Sequence, residues 1–259
     1  AGLASAANLL FAALLIAGLL AKRREGAGRA TGAVLGLVLV LVPFALATYS
    51  ASGDFILVSA HGGVNFYIGN NPESNGGYKT PLILTPSASG IVRDSIRIAE
   101  EESGRRLAPS GVSRYWLRKG SEWIGSDPHL ALRRALSKLR LLVGRWEYCD
   151  VGGARIGKQE TFRFLGMPLL PFLLVGPLGL AGMILSLSVP GQLRPRLILY
   201  AYAAAHAAGT ALFFFQSRSR LLLLPVFCLF AADAVRAIGE SWRRRRRGRA
   251  GLIVALAAA

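Results

Sequence analysis

The chain is poor in cysteine, methionine, histidine and acid. Its 259 residues include two cysteines, two methionines, three histidines and fourteen Asp or Glu. Cys149 lies in a polar segment and Cys228 in an apolar run, so the pair frames no disulfide scaffold. Zinc-type Cys/His spacing is absent, as is any nucleic-acid-binding motif, which excludes nucleic acid as the partner of the basic residues. The glycines near His61 follow no strand-to-helix signal and no Walker pattern occurs, which disfavours a nucleotide ligand. No basic stretch precedes the first apolar run, so that run does not read as a secretory signal. Internal repeats are absent too.

What the chain has is apolar residues and arginine. Hydrophobic residues make up 53%, charged residues 17%, and the formal charge is +17. Arginines crowd the ends of the apolar runs, which points to a membrane surface. Five runs read as spanning helices: Leu3 to Ala21, Thr31 to Ala47, Phe164 to Val189, Leu197 to Phe215 and Leu221 to Gly239. A sixth begins near Gly251 and is too short to cross. Both ends lie inside apolar runs, so the sequence reads as a piece of a longer protein. Short basic loops at Lys22-Arg23-Arg24, Arg194/Arg196 and Arg243 to Arg249 give an alternating topology with these loops inside.

The expected fold is an all-α polytopic membrane protein with about five to six transmembrane helices and a mostly helical external domain. Residues 1–48 hold two spans, 49–162 the external domain, 163–240 three spans, and 241–259 a basic cytoplasmic loop with the start of a cut span. The external segment, from about Thr48 to Phe162, holds fifteen Lys/Arg and eleven Asp/Glu, so most of the excess charge lies elsewhere. Tyr49 to Ala60 reads as an extended exit from the membrane. The polar island His61 to Asn71 follows, rich in Gly, Asn and aromatics, a composition that favours tight turns presenting side chains to a ligand.

Three helices are expected further on. One starts near Ser89, one near Ser110, and one at Ser126-Asp127-Pro128, where an N-cap side chain precedes a first-turn proline. The last runs through Leu132, Leu136, Leu139 and Leu142, with Arg133, Arg134 and Lys138 on other faces. Such a helix suits the membrane interface, or alternatively packs on the external domain. Tyr115/Trp116/Trp123 and Trp146/Tyr148 read as interface-belt aromatics.

The island, Gly-Gly-Val-Asn-Phe-Tyr-Ile-Gly-Asn-Asn-Pro-Glu, resembles the external-loop motif of bacterial family 39-type membrane glycosyltransferases of the GT-C class. Protein mannosyltransferases and the enzymes that add aminoarabinose to lipid A belong to that group. Ser113-Arg114-Tyr115-Trp116 is similar to their downstream element, and Pro177 to Gly182 fits the following span. Ser217-Arg218-Ser219-Arg220 to Pro225 resembles their late Arg-aromatic-Arg-Leu-Pro element, departing at Ser219 and in the extra leucines before Pro225. The resemblance runs from about Thr31 to Arg236 and corresponds to the C-terminal half of such an enzyme.

It implies inverting transfer of a sugar from a polyprenyl-phosphate donor to a glycan, lipid or protein acceptor on the outer face of the inner membrane. It implies no cofactor beyond the lipid-linked donor and leaves a divalent metal open. The catalytic base would be an Asp or Glu outside this sequence. Arg218 and Arg220 are the expected donor-phosphate ligands, since guanidinium groups bind phosphate oxygens bidentately; snorkelling to headgroups is the competing reading. Asn65, Tyr67, Asn70, Asn71 and Glu73 are the expected sugar or acceptor contacts, against a purely turn-building role. His61 reads as solvated, His206 as an intramembrane hydrogen-bonding group, and Asp233 as an i,i+3 partner of Arg236. Two other classes stand beside the enzyme: a non-catalytic envelope-glycan assembly or flippase-like protein, and a structural membrane domain that binds a protein partner.

Overall fold

The computed structural model describes residues 6–21, 24–56, 59–144, 172–188, 191, 193–216 and 219–243. Among them the ordered elements are helices: α1 (Ala6–Leu20), α2 (Arg24–Ser52), α3 (Gly62–Gly69), α4 (Ala88–Ser103), α5 (Pro109–Ser126), α6 (Pro128–Val143), α7 (Phe172–Leu187), α8 (Leu193–Leu212) and α9 (Ser219–Arg243). The one β-type pairing described is an isolated bridge between Gly77 and Phe215. Residues 145–171 and 244–259, which include Trp146, Tyr148, Cys149 and the sixth apolar run, lie outside the described residues.

Two of these helices contain stretches long and apolar enough to cross a membrane, Gly26–Ser52 and Ser219–Arg243. α1 and α7 are as apolar but shorter, and α8 carries Arg194, Arg196 and His206 along its length. In α2 the apolar side chains stand exposed around the helix, with Leu35, Leu39, Val42 and Leu46 all open and Leu39 76% exposed. A helix that is apolar all round and not covered by protein has lipid as its natural surroundings. Pro43 and Pro225 lie within the two long helices without ending them.

α2 also corrects an expectation. It continues five residues past Ala47 to Ser52, so Tyr49 leaves on a helix and not on an extended strand.

α7 and α9 pack closely because small residues let their backbones approach. A Cβ added to Gly182 would stand 1.8 Å from the Phe230 carbonyl oxygen, and one on Gly179 would stand 2.8 Å from the Phe227 ring. α1 rests on α8, where Phe11 meets Tyr202 edge-on at 5.1 Å. Near the charged end of α8, Arg196 Nη1 donates to Asp233 Oδ2 of α9 at 2.6 Å. The expected partner of Asp233, Arg236, stands farther off at 3.6 Å.

α3, α4 and α5 form a second body, and the end of α6 packs Leu142 among Val175, Leu223 and Phe227 of the apolar helices. The core of the second body is Val64, Tyr67 and Ile68 of α3 with Ile91 and Ala99 of α4 and Val112, Tyr115 and Trp116 of α5. Local signals set the helix starts: Ser87 Oγ accepts from Gly90 N at 3.0 Å to cap α4, and Asp127 accepts from Leu130 N at 2.9 Å to cap α6. Tyr115 and Trp116 are core residues, not belt residues. Trp116 is fully buried and donates its indole N–H to Ser95 O at 3.0 Å.

Candidate functional site at the junction of the two bodies

The polar island is a helix with a capped end, in place of the expected irregular loop. Gly63 lets α3 lie against α5, for a Cβ there would stand 1.8 Å from Ser113 O. In that contact Gly63 N donates to Ser113 Oγ at 2.9 Å, and the Tyr67 and Trp116 rings sit 4.8 Å apart. Gly69 does the same on the other side, where a Cβ would come within 1.7 Å of Phe213 O. Glycine is required at both places by close backbone approach.

Beyond Gly69 the asparagines turn the chain. Asn71 Nδ2 donates to Tyr67 O and Ile68 O, both at 2.9 Å, and Asn71 Oδ1 accepts from Glu73 N at 2.8 Å. Asn70 Nδ2 donates to Phe66 O at 2.9 Å and to Leu212 O at 2.6 Å. Both side chains are buried. Glu73 accepts from Leu82 N at 3.1 Å and stands 4.0 Å from Lys79. Tyr67 is buried in the core. The island's polar groups therefore satisfy backbone. Of the five residues expected to meet a sugar or acceptor, Asn65 is the one left half-buried with no side-chain hydrogen bond among the described residues.

The spans and the helical body are joined by charged side chains set on helix ends. Asp54, two residues past α2, accepts from Ser110 N at 2.6 Å and Ser110 Oγ at 2.9 Å, placing an anion on the N-terminus of α5. The Ser110 backbone bond, more than any other contact, holds the Asp54 carboxyl below its usual range. Lys138 of α6 donates to Ala211 O at 3.0 Å and to Asn70 Oδ1 at 3.1 Å, placing a cation on the C-terminus of α8. Arg220 of α9 donates from Nε to Leu142 O at 3.2 Å and from Nη2 to Leu141 O at 2.6 Å and to Gly144 O, placing a second cation on the C-terminus of α6. In each case the sign opposes the helix-end partial charge and an otherwise unpaired backbone group is satisfied.

Arg220 is buried, its guanidinium carbon 4.7 Å and 4.8 Å from the ring centres of Phe172 and Phe215. Arg220, expected to meet donor phosphate, is here bonded to the last carbonyls of α6. Arg218 lies outside the described residues. Lys138 is 1% exposed, and burial, with the Arg134 guanidinium second, pushes its amine down to about 8.

Lys138 and Asp54 are the site residues that sequence reasoning missed. The stripe Leu132–Leu136–Leu139 left open whether α6 turns its leucines to the membrane interface or to the external domain; Leu132 and Leu136 are exposed and the inward face carries Lys138 and Leu142. The available signal was the pair of small residues Ala131 and Ala135, which share that inward face. A shallow apolar cleft of about 70 Å³ lies between α3, α4 and α5, edged by His61, Ser113 and Trp116. Among the described residues no group of His, Cys, Asp and Glu could hold a metal ion.

No family model matches the chain, and searches of curated proteins and of solved structures find no match either.

Proposed function

We propose that the chain is part of a multi-pass bacterial inner-membrane glycosyltransferase. It would move a sugar from a polyprenyl-phosphate donor to an acceptor on the outer face, with residues 49–162 external. The supporting observation is that two segments carrying the resemblance, far apart in sequence, meet directly and a third is tied to them through α6. The island reaches the Ser113–Trp116 element through Gly63–Ser113 and Tyr67–Trp116, and it reaches the segment before the late arginines through Asn70–Leu212. Arg220, within that late element, holds the helix whose Lys138 grips Asn70.

The roles narrow accordingly. Arg220 shapes the junction, Arg218 is the remaining candidate for donor phosphate, and Asn65 is the remaining island amide for a sugar. The flippase-like alternative needs intramembrane charges lining a path, for which Asp233 and His206 are the candidates. The Asp233 carboxylate is taken up by Arg196 and Arg236, while His206 Nε2 is buried with no hydrogen-bond partner among the described residues.

The test is sugar transfer from a polyprenyl-phosphate donor by the complete protein in membranes, with Arg218→Ala. Abolished transfer with unchanged insertion supports the reading. Unchanged transfer removes Arg218 from the donor site, and no transfer by the unaltered protein sinks the enzyme reading.

A further inference from the structure

α6 leaves part of its apolar face bare. Its inward face carries Lys138 and Leu142, with Ala131 and Ala135 beside them, whereas Leu132 is 60% and Leu136 51% exposed. Two exposed arginines, Arg133 and Arg140, flank that bare apolar stripe on one side. An apolar stripe edged by arginine is the pattern of a helix lying in a lipid interface, where leucines enter the acyl boundary and guanidinium groups meet phosphate headgroups.

Position agrees with pattern. Through Lys138, α6 is bonded to Ala211 at the end of α8, and its last carbonyls are bonded to Arg220 in the first turn of the apolar helix α9. The helix therefore sits at the level where the apolar helices end. Two other exposed apolar groups are tied to the same level. Leu82 is four residues beyond Tyr78, whose N–H donates to Phe215 O at 3.0 Å. Phe55 is three residues beyond the end of α2.

We infer that α6, assisted by Leu82 and Phe55, is a docking surface for the bilayer, binding the acyl boundary through Leu132 and Leu136 and anionic headgroups through Arg133 and Arg140. The inference rests on the membrane reading of the spans but not on the transferase activity. It gives the helical body a fixed seat on the lipid surface from which a lipid-borne phosphate would approach.

The test uses the full chain in lipid nanodiscs, in a Cys149→Ser/Cys228→Ser background. Single substitutions Leu39→Cys, Ser103→Cys, Leu132→Cys and Leu136→Cys carry a spin label, and collision rates are read with oxygen and with a water-soluble nickel chelate. Leu132→Cys and Leu136→Cys should favour oxygen, less deeply than Leu39→Cys, while Ser103→Cys favours nickel. Including phosphatidylglycerol in place of phosphatidylcholine alone should raise the oxygen-to-nickel ratio at Leu136→Cys by about twofold or more, and Arg133→Gln/Arg140→Gln should abolish that rise.

The docking surface is overturned if the α6 labels are as open to nickel as Ser103→Cys while Leu39→Cys lies in lipid. It is overturned equally if they are shielded from both reagents, since protein would then cover the stripe. Nickel access at Leu39→Cys would instead overturn the membrane reading itself, and the docking surface with it.

Discussion

Lys138 carries the sharpest consequence at the scale of single residues. Its amine is pushed from an ordinary 10.5 to about 8 by burial, so between these values the unfolded chain binds more protons than the folded one. Stability must then rise with pH across that window, be greatest above 10.5, and fall as pH drops through about 8. The full difference corresponds to roughly 3 kcal/mol. Melting temperature recorded from pH 7 to pH 10.5 should climb in the unaltered protein and lose that climb in Lys138→Met. A Lys138→Met variant with the same slope would place the titration elsewhere.

The asparagines separate at the same scale. Asn71→Ala removes one acceptor and two donors from a buried turn, so a loss of about 2–3 kcal/mol is expected in thermal unfolding. Asn65→Ala removes no hydrogen bond described for its side chain and should leave the melting temperature unchanged. If the proposed function holds, it should lower transfer instead.

Among the elements, α3 depends on glycine for where it lies more than for how it turns. Gly69→Ala drives a methyl toward Phe213 O and Gly63→Ala drives one toward Ser113 O, at separations that backbone must move to relieve. Either change should destabilise the junction by roughly 3 kcal/mol, at the upper end of overpacking effects. At Gly62 a Cβ would meet Ser113 Oγ at an ordinary 3.9 Å, so Gly62→Ala is the matched control and should be tolerated. Equal loss in all three variants would mean that close approach at Gly63 and Gly69 does not decide the effect, since the higher helix propensity of alanine favours the helix in each.

The same elements mark what the sequence made legible. α4, α5 and α6 start within a residue or two of the expected Ser89, Ser110 and Asp127-Pro128, because the residues that set these starts, Ser87, Pro109 and Asp127, act locally. α3 was hidden, because Gly and Asn favour turns in isolation and only contact with α5 and Phe213 makes their smallness and amides useful in a helix. The direction of α6 was hidden for a related reason. An apolar stripe identifies a face but not its solvent, and here lipid is the inferred solvent.

At the scale of the molecule, two bodies of different composition meet where ordinary hydrophobic contact is a poor guide to register, since the apolar helices are apolar on every side. Charge on helix ends supplies the missing direction. Asp54 fits an N-terminus and Lys138 and Arg220 fit C-termini, so exchanging Asp54 with either cation would set like charges together. With α2 and α9 crossing a bilayer, as their length and apolar character allow, the arrangement requires that both be held at a fixed height.

Leu39, near the middle of Gly26–Ser52 and largely uncovered by protein, tests that requirement directly. An arginine at the centre of an inserting helix is disfavoured by about 2.5–3.5 kcal/mol, while a leucine favours insertion by a few tenths. Leu39→Arg should therefore shift α2 measurably toward the non-inserted state in a membrane-insertion assay. Leu39→Phe, which keeps the apolar surface, should not. A helix that merely lies against protein would accept arginine at so open a position with little change, so equal insertion of both variants would remove α2 from the membrane and leave the helix-end charges without a plane to define.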